Sequence, residues 1–291
     1  MGDGADFPAS RRASWRTLLI ALIALSHSAW GGTTVTDDTG ETVTLRDAAR
    51  RIVTLAPHAA ELVYAAGAGD ALVATVAHSD EPPAAKQLPR IGDATGIDRE
   101  ALVGHRPDLV VAWGSAAPPR LLGWLRARGV AVYVSEPRSL DDVARSITAL
   151  ARLAGTTPAA IPSVTERVPQ HRPPVQALFL FWDRPPIAAG GSHVLTDLVR
   201  SCGAEPLFAD VPGKAIALSA ESLLAADPDV VFRTEGRVQR RTAGGGLSEV
   251  ALTDDERRRL AASERPGPGL FAARKVVCLQ VARVAGERSK P

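Results

Sequence analysis

The sequence predicts an α/β fold made of two related lobes, each a parallel-sheet α/β sandwich. The chain has 291 residues, which leaves room for two domains of ordinary size. From about residue 50 onward, short apolar runs alternate with helical patterns, an order typical of a parallel sheet covered by helices on both faces. A motif in the first half also recurs in the second half with the same internal spacing. Such a repeat indicates that both lobes follow one plan.

The pattern of the first lobe predicts a hairpin followed by alternating strands and helices. Polar and apolar residues alternate over 35–45, around Asp38-Thr39-Gly40, which predicts a short hairpin. The predicted strands span 51–56, 72–77, 109–113 and 130–134. The predicted longer helices span 57–66, 120–128 and 141–153. The first of them begins at Pro57, a favoured residue for a first helical turn, and stops before Gly67.

The repeated motif places two glutamates in equivalent positions. Glu100-Ala-Leu-Val-Gly-His-Arg-Pro-Asp-Leu-Val-Val is matched 121 residues later by Glu221-Ser-Leu-Leu-Ala-Ala-Asp-Pro-Asp-Val-Val. Each copy predicts a short helix that is capped by Asp98 or Ser219 and ended by Pro-Asp before a buried strand. A glutamate in the first turn also interacts favourably with the helix dipole, so a purely structural role for both glutamates stays open. The matched spacing adds a second interpretation, a partner with two-fold symmetry that contacts both copies.

Composition argues against several classes of protein. There are 34 basic and 32 acidic residues, a net charge of +2, and only 4% aromatic residues. Nucleic-acid binding usually needs clustered Lys and Arg with stacking rings, so no nucleic-acid partner is expected. Two cysteines are too few for a disulfide framework or a four-cysteine zinc site, and no metal site is expected.

Residues 1–28 have the order of a secretory signal peptide. Basic residues, among them Arg11 and Arg16, precede an apolar run from Leu18 to Leu25, and small residues follow that run. The run is about eight residues long, whereas a helix that spans a membrane needs roughly 20. We therefore expect export, and a mature chain that begins near residue 29.

Seven segments between about residues 50 and 232 carry a family resemblance. They are Arg51-Ile-Val-Thr-Leu-Ala-Pro-His-Ala-Ala-Glu-Leu, Ser79-Asp-Glu-Pro-Pro, Leu88-Pro-Arg-Ile-Gly, Arg106-Pro-Asp-Leu-Val-Val-Ala-Trp, Phe181-Trp-Asp-Arg-Pro, Gly190-Gly191, and Cys202-Gly203 with Phe208-Ala-Asp. In this order they resemble the periplasmic cobalamin-binding proteins of ABC transporters, within a larger group that binds corrinoids, haem and siderophores. The Ser-Asp-x-Pro-Pro, Leu-Pro-x-x-Gly and Ala-Trp motifs favour the cobalamin branch.

The resemblance implies how the lobes and the ligand are arranged. A first lobe (29–154) and a second lobe (174–291) would be joined by a helical linker (155–173), with the ligand in the cleft between them. The ligand-binding residues that it implies are Pro57, His58, His78, Asp80, Glu81, Trp113, Trp182 and Gly190. Trp residues at strand ends suit a flat macrocycle, and a place in the core stays open for each as the alternative.

The resemblance also implies a role in transport. Glu100 and Glu221 would dock the loaded protein onto ABC transporter permease subunits in the inner membrane. The chain would be a periplasmic monomer that binds cobalamin or a related corrinoid, without a catalytic residue or a cofactor of its own.

Four departures from the family pattern bear on these expectations. Glu81 stands where the family usually has an aromatic residue, and the loop 211–215 lacks a tryptophan found in some members. The linker contains three prolines, so a kinked or shortened bridge is expected. The pattern of residues 275–281 predicts a strand, so the terminal helix that the family has is expected to be missing. The family partner of Cys202 lies in that helix, so a Cys202–Cys278 disulfide and two free thiols both stay open.

Two alternatives belong to other ligand or function classes. A haem or siderophore carrier of the same fold could use His58 or His78, which follow the first two strands, as an iron ligand. A periplasmic hydrolase would need a catalytic motif. The sequence has neither a Gly-x-Ser-x-Gly elbow nor a His-Glu-x-x-His zinc motif, and Gly191-Ser192-His193 does not make a triad.

Overall fold

The computed structural model describes residues 32–288, except 94, 162–167 and 169. The predicted signal peptide (1–28) and the centre of the predicted linker therefore lie outside the described residues. Within the described part of the chain, no helix combines the length and the hydrophobicity that crossing a membrane requires.

The first lobe is built around a parallel sheet. In chain order its described strands are β1 (Thr33–Thr36), β2 (Thr42–Leu45), β3 (Ile52–Thr54), β4 (Leu72–Ala74), β5 (Gly92–Asp93), β6 (Gly96–Ile97), β7 (Leu109–Trp113) and β8 (Ala131–Ser135). Strands β4, β3, β7 and β8 lie side by side in that order, and all their pairings are parallel. The pairs β1–β2 and β5–β6 form small antiparallel ribbons. The hairpin and the four predicted strands are confirmed.

Local capping signals set the helices of the first lobe. They are α1 (Pro57–Ala65), α2 (Arg99–Gly104), α3 (Pro119–Arg126) and α4 (Leu140–Ala154), with 3₁₀ turns at Gly69–Ala71 and Pro83–Gln87. The carboxylate of Asp98 caps α2 by accepting the N–H of Glu100 and Ala101, as predicted. Ser139 and Asp142 form a capping box at the start of α4, and Gly155 ends that helix in a left-handed conformation.

The second lobe has a mixed sheet. Its described strands are β9 (Gln176–Asp183), β10 (Pro186–Ala189), β11 (Glu205–Pro206), β12 (Ala215–Ala217), β13 (Val230–Arg233), β14 (Arg237–Arg241) and β15 (Leu247–Glu249). Strand β9 pairs in parallel with β13 and β11, whereas β12, β10, β14 and β15 extend the sheet through antiparallel pairs. The two-lobe α/β fold is confirmed, but this sheet is not purely parallel. The tight connection between β9 and β10 is too short for a crossover and makes a hairpin.

The helices of the second lobe include one that the sequence analysis missed. They are α5 (Val194–Ser201), α6 (Ala220–Ala226), α7 (Asp254–Ala261) and α8 (Gly269–Arg288), with a 3₁₀ turn at Ala262–Glu264. The prediction of a strand over 275–281 is wrong, because these residues lie in α8. The chain therefore has a terminal helix. Buried Val277, Val281 and Val284 follow the spacing of one helix face, which the β-branched side chains obscured.

A disulfide ties α8 to α5. Cys202 ends α5 and is bonded to Cys278 of α8, with the two Cα atoms 4.7 Å apart. Beside this bond, the guanidinium of Arg274 donates a hydrogen bond to the hydroxyl of Ser201 (3.0 Å). The terminal helix is thus held against the second lobe by covalent and polar contacts.

The aspartate of each Pro-Asp repeat joins two neighbouring parallel strands. The carboxylate of Asp108, just before β7, accepts backbone N–H groups of Arg50 (2.7 Å) and Arg51 (3.1 Å), just before β3. In the second lobe the carboxylate of Asp229, before β13, accepts the N–H of Gln176 (2.8 Å), at the start of β9. We call these the two aspartate clamps. They explain why both copies of the repeat carry Pro-Asp at the same register, where the sequence alone indicated only the end of a helix.

Polar contacts connect the lobes. The carboxylate of Glu61 in α1 accepts a hydrogen bond from Arg265 (3.1 Å), which precedes α8. The carboxylate of Asp197 in α5 accepts the N–H of Leu140 at the start of α4 (3.0 Å). Burial raises the pKa of Glu61, and the hydrogen bond from Arg265 opposes that rise. Helices of the two lobes therefore meet through charged groups as well as apolar packing.

We predict that Asp229→Ala lowers the free energy of unfolding by about 2–3 kcal/mol. The change leaves the partly buried N–H of Gln176 without its carboxylate partner and also removes the ion pair of buried Asp229 with Arg241 (3.5 Å). Hydrogen bonds to charged groups have about that value. Urea unfolding of the purified protein measures the loss. Asp210→Ala, at an exposed position in the same lobe, is the matched control and should change stability by less than about 0.5 kcal/mol. Equal losses in the two variants would contradict a clamp at Asp229.

Candidate functional site

The first lobe contains a cavity at the carboxyl ends of its parallel strands. Its volume is about 390 Å³, and its wall is mostly apolar. The residues that line it follow β3 (Leu55, Ala56, Pro57), β4 (Val76, Ala77, His78) and β7 (Trp113, Ala116, Ala117, Pro118), and include the β5–β6 ribbon with Arg99 and Leu121. Parallel strands end at one edge of a sheet, and ligands of open α/β sheets bind in the crevice outside that edge. This position makes the cavity a candidate binding site.

Pro57 and Trp113, two residues that the family resemblance implied for ligand contacts, line the cavity. Trp113 is the last residue of β7 and is half-buried, so one part of its indole faces the cavity and another packs into the lobe. Pro57 begins α1 directly after β3. Two of the predicted ligand residues thus lie on one wall.

His58 lies behind this wall. The imidazole is 1% exposed, is not among the cavity-lining residues, and meets the ring of Trp113 edge-on with 5.3 Å between centroids. Within the described residues, its Nε2 atom has no hydrogen-bond partner. Burial, with a smaller contribution from the charge of Arg265, lowers the pKa of His58 to about 3. The neutral, buried imidazole of His58 therefore supports Trp113 by packing. The sequence had suggested an exposed loop for His58, and that expectation is wrong.

His78, Asp80 and Glu81 lie on the loop after β4. His78 is exposed at the cavity and has a left-handed backbone (φ 62°). Asp80 pairs with Arg90 at 3.5 Å, and Glu81 is exposed. Asp80 and Glu81 are not among the cavity-lining residues, and the charge of Glu81 instead contributes to the raised pKa of Glu61, after the larger effect of burial.

Trp182 and Gly190, the predicted ligand residues of the second lobe, do not line this cavity. Trp182 is near the carboxyl end of β9 and its side chain is 59% exposed. Gly190 follows β10, and its N–H donates to the carbonyl of Lys214 (2.8 Å). A Cβ atom at position 190 would come within 2.5 Å of the carbonyl oxygen of Gly213. The absence of a side chain at Gly190 therefore allows the loop that ends at Lys214 to approach β10.

Lys214 reaches from the second lobe to the first. Its ammonium donates to the hydroxyl of Ser115 (2.9 Å) and forms an ion pair with the carboxylate of Glu136. Ser115 follows Trp113 by two residues, so this contact lies next to the loop that walls the cavity. Burial lowers the pKa of Lys214. Lys214 was not among the predicted site residues, although its loop, 211–215, is one of the segments that depart from the family pattern.

Asp93, Thr95 and Arg99 are further cavity residues that the sequence analysis missed. One oxygen of the Asp93 carboxylate accepts hydrogen bonds from the N–H and the hydroxyl of Thr95 (2.7 and 2.6 Å), which lower the pKa of Asp93. Arg99 lies over the ring of Trp124, with 5.5 Å from Cζ to the centroid. The sequence offered one signal for these residues, namely that they lie between Gly92 and the repeated motif that begins at Glu100.

Glu100 and Glu221 occupy equivalent exposed positions. Each lies in the first turn of a short helix, Glu100 in α2 and Glu221 in α6. The hydroxyl of Ser219 caps α6 by accepting the N–H of Ser222 (3.0 Å), so the predicted caps are present in both copies. The two carboxylates are available to a partner on the surface of both lobes.

A family of known proteins matches most of this chain. The sequence model described as "Periplasmic binding protein" matches residues 52–256. The Vitamin B12-binding protein of Vibrio cholerae is 34% identical over 196 residues, which cover 64% of this chain and 71% of that relative.

Solved structures show the same architecture. The periplasmic vitamin B12 binding protein BtuF of Vibrio cholerae has a TM-score of 0.60 and 28% identity, over 83% of this chain and 99% of that one. The periplasmic haem-binding protein RhuT from Roseiflexus sp. RS-1, in its apo form, has a TM-score of 0.52 and 26% identity, over 63% of this chain and 76% of that one. The fold is thus shared by proteins with different named ligands.

We predict that the free energy of unfolding falls as the pH decreases from about 6.5 to about 4, in part because of His58. The unfolded chain takes up a proton at His58 near pH 6.5, whereas folded His58, with a pKa of about 3, stays neutral over this range. Acid therefore favours the unfolded state. The slope for one such group approaches about 1.4 kcal/mol per pH unit. Urea unfolding at several pH values measures it.

A pair of variants isolates the contribution of His58. His58→Gln removes the titrating group and should flatten the slope, while the part due to His193, whose pKa burial lowers to about 4, remains. His78→Asn is the control, because Asn tolerates the left-handed backbone at this exposed position. If the slope of His58→Gln equals that of the wild type, the buried imidazole does not control acid stability.

Proposed function

The chain belongs to the family of periplasmic binding proteins, and on that premise we propose that it captures a corrinoid between its two lobes and delivers it to the permease of an ABC transporter. The observation that carries this proposal is the apolar cavity at the carboxyl ends of β3, β4 and β7, with the indole of Trp113 in its wall. The name of the Vibrio cholerae relatives supplies the ligand class, vitamin B12.

The size of the cavity supports a ligand shared between the lobes. A cavity of about 390 Å³ lies at the lower end of the range for drug-sized molecules, and a corrin macrocycle with its side chains is larger than such molecules. The first lobe therefore holds only part of the ligand. Trp182, exposed near the end of β9, offers a second apolar face across the cleft, and Gly190 lies beside the loop of Lys214.

The haem alternative has one supporting feature and one against it. His78 is exposed at the cavity, where an imidazole could bind iron, whereas His58 is buried behind Trp113. Since one histidine at a rim is weaker support than the apolar wall and the relatives together, we favour a corrinoid. Absorption spectra after mixing with haem or cyanocobalamin distinguish the two ligands.

We also propose the cellular context of this binding. Residues 1–28 would direct export, and the mature monomer would work in the periplasm, with the corrinoid as cargo and no reaction catalysed. Glu100 and Glu221 would contact basic residues of the permease, one from each lobe. Charges at the edge of an interface mainly steer and orient the encounter.

We predict that the mature protein binds cyanocobalamin in calorimetry and that Trp113→Ala weakens the affinity by about tenfold or more. The change removes the aromatic wall of the cavity, and buried aromatic contacts dominate many binding sites. Trp113→Phe keeps an aromatic face and should lose less. Thermal unfolding of each variant checks that the lobe is intact. Absence of heat and of a thermal shift with wild-type protein at high micromolar ligand would refute the corrinoid proposal.

We predict that Glu100→Gln combined with Glu221→Gln leaves cyanocobalamin affinity unchanged and weakens binding to the permease by about tenfold or more. Both carboxylates are exposed and lie outside the cavity, so only the charge seen by a partner changes. Binding of loaded protein to detergent-solubilised transporter gives the measurement, with Glu249→Gln as an exposed control. Unchanged transporter binding would assign the two glutamates to their helix termini alone.

A further inference from the structure

Among the described residues that line the cavity of the first lobe, Arg99 is the one permanent cation. The other ionisable residues that line it are His78 and Asp93. Asp93 is partly engaged, because one of its oxygens accepts hydrogen bonds from Thr95 and from the N–H of Gly96 (3.3 Å). Arg99 forms no ion pair with any residue that the structure describes. Its charge is therefore available to a ligand.

The contact of Arg99 with Trp124 holds the guanidinium without using its hydrogen-bonding edge. Its Cζ atom lies 5.5 Å from the ring centroid, the geometry of a cation–π contact. A guanidinium held this way keeps N–H donors in its plane, and two parallel donors match the oxygens of a phosphate. A cation at the edge of a mostly apolar cavity suits a ligand that joins an apolar body to one anionic group.

Corrinoids differ in whether they carry such a group. A complete cobalamin has a nucleotide loop with an aromatic base and a negatively charged phosphodiester, and cobinamide lacks that loop. Both carry primary amides around the macrocycle, whose N–H groups suit the carboxylate of Asp93. A haem instead carries two carboxylates, one more than the single cation of this cavity can neutralise.

We infer that Arg99 is a specificity-determining residue that binds the phosphodiester of a complete corrinoid and so favours cobalamin over cobinamide. This inference rests on the proposed function. The aromatic base of the nucleotide loop then occupies the apolar part of the cavity near Trp113, and Arg99 closes its edge. Arg99 is exposed in the free protein, and a bound ligand would cover it beside the mostly apolar wall, where charge pairing is stronger than in water.

The experiment compares cyanocobalamin, dicyanocobinamide and haem by calorimetry. Wild-type protein should bind cyanocobalamin about tenfold or more tightly than dicyanocobinamide, and added salt should reduce that preference. Arg99→Gln should weaken cyanocobalamin binding about tenfold and leave dicyanocobinamide binding unchanged. Arg99→Lys, which keeps the charge without the fork, should lose less than Arg99→Gln.

Arg128→Gln is the matched control. Arg128 also lies over Trp124, at 3.9 Å, but does not line the cavity, so this variant should keep the preference for cyanocobalamin. Equal weakening of both corrinoids by Arg99→Gln, or no weakening of either, would overturn the role of Arg99. Binding of haem alone by the wild type would refute the proposed function itself, and that result is visible before any variant is made.

Discussion

The hydrogen bonds of two carboxylates, Asp108 and Asp229, hold together the strands on which the rest of the molecule depends. Each accepts backbone N–H groups at the start of the neighbouring parallel strand, so β7 stays in register with β3, and β13 with β9. Strands paired in register end at the same edge of the sheet. The clamps at one edge thereby position Trp113 and Trp182 at the opposite edge of each sheet, where the cleft lies.

A few charged contacts also join the two lobes. Glu61 with Arg265 and Glu136 with Lys214 join different parts of the two lobes, and His58 is buried between Trp113 and Gly267. Apolar packing accompanies these contacts, because buried residues of both lobes, among them Val63, Leu198 and Val277, belong to one continuous hydrophobic core. The described residues that form the cavity wall all belong to the first lobe.

Much of the first lobe could be predicted because its signals are local. Pro57, Asp98 and the capping box at Ser139 act within one turn, and alternating strands and helices imply a parallel sheet whatever lies around them. The terminal helix was missed for the opposite reason. The valines near Cys278 favour a strand by propensity, whereas packing against α5 and α7, with the bond to Cys202, favours the helix. The antiparallel strands of the second lobe were also missed, because they lie in short hairpins.

The sequence by itself determined the two-lobe plan, the repeat with its two equivalent glutamates and the place of Trp113 at the end of a strand. Only the tertiary structure decided that His58 is buried, that Asp80 pairs with Arg90 away from the cavity, and that Arg99 and Lys214 lie beside it. The physical reason is how far apart along the chain the interacting residues lie. Caps and strand periods depend on neighbours in the chain, whereas the burial and the charge partners of a side chain depend on residues brought from far along it.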